Sequence, residues 1–417
     1  MFCWAAIENP TQKEVMASSR VPRPTGVEIQ RSVSGLTGAD CATLDIGAEL
    51  FPSWLGGIAS GIRGTGCSPD RTIVYPNGIA GMWDPRNLRD TDFGLPAGDR
   101  FEPADVDARD EFDLSQPHIM TVLGPMHPDQ LGVCHHHEYI LSDPVALTRN
   151  DPEYRLDRID LACEELESFY TAGGRAMVDA STPDYGRDLN GLRTIARRVP
   201  VHILAVAGRH QHVHSSRIPD ALDQGKLAME IQSDIDGEIR PGLISFGTSL
   251  DEITPVEEVA GRAVASVAVA TGYPLMTHTE SGTMAHEQLD LVESEGLELG
   301  QVIVGHLDRR LDFPYLLSIA RRGAWISFDQ VGNARHGPDA PKAATLVALA
   351  EAGYGDQLLV SQGLSRTSDL VAYGGKPGWI HLLERFAIDL MEAGAGAPLV
   401  RQLLIENQSR ALSIVPR

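Results

Sequence analysis

The stretch PLMTHTESGTMAHEQLDLVESEGLELGQVIVGHLD, residues 274–308, decides the fold. It opens with a short apolar run ending in Thr277-His278-Thr279-Glu280. A helix-like segment follows, then a second apolar run that ends in Gly305-His306-Leu307-Asp308. Short apolar runs with polar ends read as buried strands, and the longer segments between them as helices. The same unit recurs outward in both directions, with runs beginning near Gly132, Ala176, Val201, Leu243, Pro274, Val302, Ala324 and Leu358. Residues 156–171 place Leu156, Ile159, Cys163, Leu166, Phe169 and Tyr170 on one helical stripe. Thr254-Pro255-Val256-Glu257 offers a cap, a first-turn proline and a capping-box glutamate. A further helix is expected over 341–353, ended by Gly353. Eight strand–helix units predict an α/β fold of the (β/α)8 TIM-barrel type. A doubly wound nucleotide-binding sheet would need a glycine-rich fingerprint after its first strand, and none is present.

Residues 1–116 differ from the rest, being rich in Gly, Pro and Asp, with short strand-like pieces at 27–30 and 71–75. They read as an irregular, partly β N-terminal extension, leaving 117–417 as the barrel domain. The first twenty residues lack the basic start, apolar stretch and small-residue site of a secretory signal. No apolar run reaches about 18 residues, so no spanning helix is expected. Five cysteines without a CxxC spacing suggest free thiols in a cytoplasmic protein. A net charge of −22 argues against nucleic acid and anionic membranes as partners. A small-molecule substrate is the expected partner. Lysine is scarce: Lys13, Lys226, Lys342 and Lys376 are the whole set, none of them near a predicted strand end.

Reactive groups of such barrels sit at the C-terminal ends of strands. The first strand ends in Cys134-His135-His136-His137-Glu138-Tyr139, and the third is followed by Arg209-His210-Gln211-His212-Val213-His214. The seventh ends in Phe328-Asp329. His137, His278 and His306 stand on three separate strand ends and read together as a shared site, since neutral imidazole is the commonest ligand of zinc-like metals.

The segment Met120-Thr121-Val122-Leu123-Gly124-Pro125, followed by residues 131–139, resembles the opening of phosphotriesterase-like proteins in the amidohydrolase superfamily. Val178-Asp179-Ala180-Ser181-Thr182-Pro183, Arg240-Pro241-Gly242, Gly305-His306-Leu307-Asp308-Arg309 and Asn407-Gln408-Ser409-Arg410 continue the resemblance in order. It implies a hydrolytic site with two divalent metals and a homodimeric assembly. Of the ligands it implies, His137, His278 and His306 are kept. The second histidine of the first strand falls on Tyr139, the bridging residue on Ser245, and the aspartate of the last strand on Gly363.

Three readings follow. In the first, one divalent metal (zinc, or manganese or iron) is held by His137, His278 and His306, or with His135 forming a displaced pair with His137. Asp308, Asp329, His210 or His212 then serves as general base, and the substrate is a small ester, lactone or amide. In the second, the barrel works without metal by acid–base chemistry, with Tyr139, the histidines and Asp329 moving protons. In the third, the site binds a small molecule without turning it over.

Overall fold

Each predicted apolar run becomes a strand in the computed structural model, which describes residues 112–417 apart from 217, 219 and 220. The extension expected over 1–116 therefore lies almost wholly outside the described residues. A two-stranded antiparallel hairpin, β1 (Ile119–Thr121) and β2 (Gly124–Met126), comes first. The barrel strands are β3 (Cys134–Glu138), β4 (Ala176–Asp179), β5 (His202–Gly208), β6 (Leu243–Thr248), β7 (Leu275–Thr279), β8 (Val302–Gly305), β9 (Trp325–Phe328) and β10 (Leu358–Val360). They pair in parallel in sequence order from β3 to β10. Nearly every strand residue is buried, as expected where helices cover the outer face of a parallel sheet and side chains fill the inner one.

Side chains and single backbone bonds, not a regular ladder, join the last strand to the first. The Gly363 amide donates to the His137 carbonyl at 3.0 Å, and the Ser361 hydroxyl accepts from the His137 amide at 3.1 Å. Glu138 binds the end of β10 more firmly, accepting from the Ser361 hydroxyl (2.9 Å) and from the amides of Gln362 (2.8 Å) and Leu364 (3.1 Å). The result is a (β/α)8 barrel. At its opposite end the hairpin docks through the Val122 amide on the Ile203 carbonyl, 2.8 Å away.

The helix at Thr254 forms as its capping residues dictate, over Pro255–Thr271, with both bonds of the capping box made. It stops at Gly272, whose φ of +77° is left-handed and whose missing Cβ would lie 1.8 Å from the Val415 carbonyl oxygen. Replacing Thr254 by Ala is expected to lower stability by about 1 kcal/mol, the usual worth of a cap, read as a lower thermal midpoint. The helix expected from residue 156 starts later, at Ile159. Leu156 is instead extended, its amide donating to Ser142 at 2.8 Å, so pairing with a distant segment overrides the helical stripe. The helix expected over 341–353 runs Asp339–Leu349 and unwinds through a wider turn, Ala350–Tyr354. No described helix is long and apolar enough to cross a membrane.

Candidate active site

The three consecutive histidines of β3 end in three different environments, because its register against β4 shifts between His135 and Glu138. His135 does not join His137 in a ligand pair. Its ring packs on Phe169 of the helix Ile159–Thr171 at 4.7 Å, and its Nδ1 lies 3.2 Å from Glu138. His136 bonds Ser327 of β9 through Nε2 at 2.7 Å, and burial drives its pKa down to about 3. His137 alone reaches the mouth, with Nδ1 at 2.9 Å from Asp329.

Asp329, which follows β9 and is wholly buried, organises the centre. Its Oδ1 lies 2.6 Å from His306 Nδ1, while its Oδ2 meets His137 and accepts from the Ser327 hydroxyl at 2.8 Å. Burial opposes its ionisation, but the imidazole groups of His306 and His137 hold its pKa well below the ordinary carboxylate range. His306 Nε2 in turn lies 2.7 Å from His278 Nδ1. These distances assign the protons. A carboxylate at 2.6 Å requires a hydrogen on His306 Nδ1, so His306 Nε2 accepts from His278 Nδ1. His278 Nε2 is left as a buried lone pair without a hydrogen-bond partner. Its nearest acid, Glu280, is 3.5 Å away. Two acceptors face each other there, an arrangement that suits a proton or a cation between them.

This lone pair opens on a cavity of about 380 Å³ at the C-terminal end of the strands. Tyr139 and His210 also line it. Burial raises the Tyr139 phenol well above its usual range, so it is a neutral donor at neutral pH. Burial likewise holds His210 neutral; its Nδ1 accepts from the Gln211 amide at 2.8 Å, which places the hydrogen on Nε2. The ring centroid of His210 is 4.6 Å from that of His278. His214 follows it into the cavity, whereas His212 turns away and bonds Thr254 at 3.2 Å, because the short helix His212–Ser215 presents alternate residues to opposite sides. Asp308 is buried behind the mouth, where its Oδ2 accepts from the Gln330 amide at 2.8 Å. Burial, followed by the nearby Asp329 charge, pushes its pKa up to about 7.

Several groups at the mouth carry no local sequence signal. Gln330, 1 % exposed, donates through its carboxamide nitrogen to the Asp329 carbonyl at 2.9 Å, which leaves that nitrogen 3.0 Å from His306 Nδ1. Arg309, Arg335 and Arg366 border the cavity, each braced by an acid: Glu280 (3.1 Å), Asp369 (2.7 Å) and Asp151 (2.9 Å) respectively. Lys342, which stands mid-helix in the sequence, is completely buried and donates to the Gln330 carbonyl just past the end of β9. The expectation that no lysine lies near a strand end is corrected in space, because the helix after β9 folds back beside it.

One metal ion would fit these residues if His306 Nε2 gave up its bond from His278 Nδ1 to hold it. Ligand atoms of His137, His306 and Asp329 lie within 4.8 Å of one another, and His278 Nε2 is unpartnered beside them. The second ion implied by the resemblance does not fit. Tyr139 and Ser245 are not the ligands it needs, and no carboxylate can replace Gly363 without displacement. Gly363 has φ +56°, and a Cβ there would meet the Asp329 carbonyl at 2.6 Å and the Gln330 side-chain carboxamide nitrogen at 2.5 Å.

Comparison with known proteins agrees with this architecture. Residues 117–412 match the model of the phosphotriesterase family. The phosphotriesterase homology protein of Escherichia coli (strain K12) is 31% identical over 290 residues, covering 68% of this chain and 98% of that protein. A crystal structure of a protein of that name from Escherichia coli, with phosphate in its active site, superposes with a TM-score of 0.64 at 30% identity, covering 68% and 99%. The N-acetyltaurine hydrolase of Danio rerio is 27% identical, covering 71% and 97%. A lactonase from Listeria monocytogenes gives a TM-score of 0.68 at 28% identity, covering 71% and 99%.

Proposed function

The chain belongs to the phosphotriesterase family and is a hydrolase of that kind; from this premise we propose that it cleaves a small ester, lactone or amide with one divalent metal ion. The observation that carries the reading is the gathering of His137, His306 and Asp329 at three strand ends, with His278 beside them, where the partners of a second ion are missing. Zinc is the first choice of metal, manganese or iron the next. A bound ion of this kind supplies Lewis acidity and a water acidified to a pKa of about 7. The protein's own part is orientation. Asp329 fixes His306 and His137, and His306 fixes the tautomer of His278. Tyr139 offers a neutral phenol proton, and His210 a hydrogen on Nε2. Arg309, Arg335 and Arg366 favour a substrate bearing an anionic group, as the names of the N-acetyltaurine hydrolase and of the phosphate complex also suggest. A homodimer in the cytoplasm completes the proposal, and a monomeric mass by light scattering removes the dimer.

Metal content by inductively coupled plasma mass spectrometry, on protein without a histidine tag, tests the reading. About one equivalent is expected in the wild type and far less in His306→Asn, a replacement that tolerates the φ of +61° at this position. Two equivalents sink the one-ion reading.

A second reading has its own observation, the unbroken Asp329–His306–His278 chain with contacts of 2.6 and 2.7 Å. In that reading His278 Nε2 is a general base and no metal is used. Activity that survives exhaustive chelation selects it.

A further inference from the structure

A buried ammonium is costly, because removing it from water loses several kcal/mol of hydration unless partners compensate. Lys342 is such a group: its side chain has no exposed surface, although it springs from the outer helix Asp339–Leu349. Its Nζ donates to the Gln330 carbonyl and lies 3.5 Å from Asp339 and 3.9 Å from Asp308. Both carboxylates are tied to the same loop. Asp308 accepts from the Gln330 amide at 2.8 Å, and Asp339 accepts from the Gly332 amide at 2.9 Å and meets His381 Nε2 at 2.7 Å. The Gln330 peptide is therefore held on both sides, its N–H by Asp308 and its carbonyl by Lys342. What this fixes is the Gln330 carboxamide. Its nitrogen donates to the Asp329 carbonyl at 2.9 Å and so lies 3.0 Å from His306 Nδ1, its oxygen accepts from Asn333 at 3.2 Å, and the group fills the space in front of Gly363.

We propose that Lys342 is a positioning residue of the site: by holding the Gln330 main chain it keeps the Gln330 carboxamide against the His306–Asp329 pair. An apolar side chain of the same length fills the volume but cannot hold the carbonyl. This role rests on the hydrolase reading above only where metal is concerned, so the two are tested separately.

The measurement is zinc affinity of the full chain, by competition with a chromogenic chelator. Lys342→Met and Gln330→Ala are each expected to weaken binding about 10- to 100-fold, the usual cost of losing an outer support of a ligand. Because one acts through the other, the double variant is expected to be no weaker than the worse single variant. Additive losses, or an unchanged affinity beside a lowered thermal midpoint, overturn the proposal and leave Lys342 as plain scaffold. A second measurement needs no metal. In protein with 15N-labelled histidine, the resonance of the His306 Nδ1–H bonded to Asp329 is expected to move in Gln330→Ala and in Lys342→Met, and to stay in Thr254→Ala. An unmoved resonance in Gln330→Ala overturns the proposal even if Lys342→Met does not fold. Failure of the wild type to bind zinc sinks the metal reading instead, and the resonance alone then decides the role of Lys342.

Discussion

Asp329→Asn is expected to lower kcat by about 10³- to 10⁴-fold with little change in the fold, the size of loss seen when a histidine-orienting carboxylate becomes an amide. The carboxylate accepts from His306 and Ser327, and His137 Nδ1 lies 2.9 Å from it. An amide keeps the shape but replaces one acceptor oxygen with a donor. If that donor faces His306, the ring must present a lone pair at Nδ1 and carry its hydrogen on Nε2. The bond to His278 then reverses, and the His278 lone pair that faced the cavity becomes an N–H. One atom exchanged at Asp329 thus disarms a nitrogen two rings away. Both readings of the site require that lone pair, as a ligand or as a base, so the loss is expected under each. Steady-state kinetics on the variant checks it, with circular dichroism as the control for folding. A loss below tenfold removes Asp329 from its organising position.

Acid is expected to unfold the metal-free protein steeply between about pH 6 and 4, and the sign follows from the titrating groups. Burial holds His136, His202, His210, His214, His278 and His306 below the ordinary histidine value. Each binds its proton more readily when unfolded, so its contribution to stability is present above about pH 6.5 and is lost as pH falls. Asp179, raised to about 6, and Asp308, raised to about 7, act in the opposite sense over the same range, and Asp184 is also raised by burial. The lowered histidines outnumber the raised aspartates, so the unfolded chain binds more protons and stability falls as pH falls. A chain of this kind, with a total stability of about 5–15 kcal/mol, has little to lose before it unfolds. Urea unfolding at pH 7.5, 6 and 5, in the presence of a chelator, measures the slope. A midpoint independent of pH means that these histidines are hydrated in solution and contradicts the packed mouth described above.

The barrel was legible because strands buried on both faces must be continuous apolar runs, and because polar residues at their ends have nowhere to go but the mouth. His137, His278, His306 and Asp329 were legible for the same reason. What the chain did not disclose depends on fractions of a turn. Strict alternation would put His135 and His137 on one face, and only the register shift in β3 sends His135 to Phe169. His212 and His214 differ in the same way, by the side of a four-residue helix from which each projects. Lys342 gives no local sign at all, since its depth comes from the packing of a helix against the loop after β9. The hairpin β1–β2 was visible only as a motif, because each of its strands has three residues and no alternation to display.

The junction of the first and last strands sets the order in which the mouth can come into being. His137 and Glu138 are braced by residues 361–364, more than 220 positions downstream. A nascent chain leaving the ribosome exposes its histidines long before it delivers Ser361 and Gln362. Until then the His137 main chain lacks its Ser361 and Gly363 partners, and Glu138 is a carboxylate awaiting its donors. The mouth is therefore completed late in synthesis, when β10 closes the ring, and a chain cut short before it carries these histidines without the enclosure that arranges them.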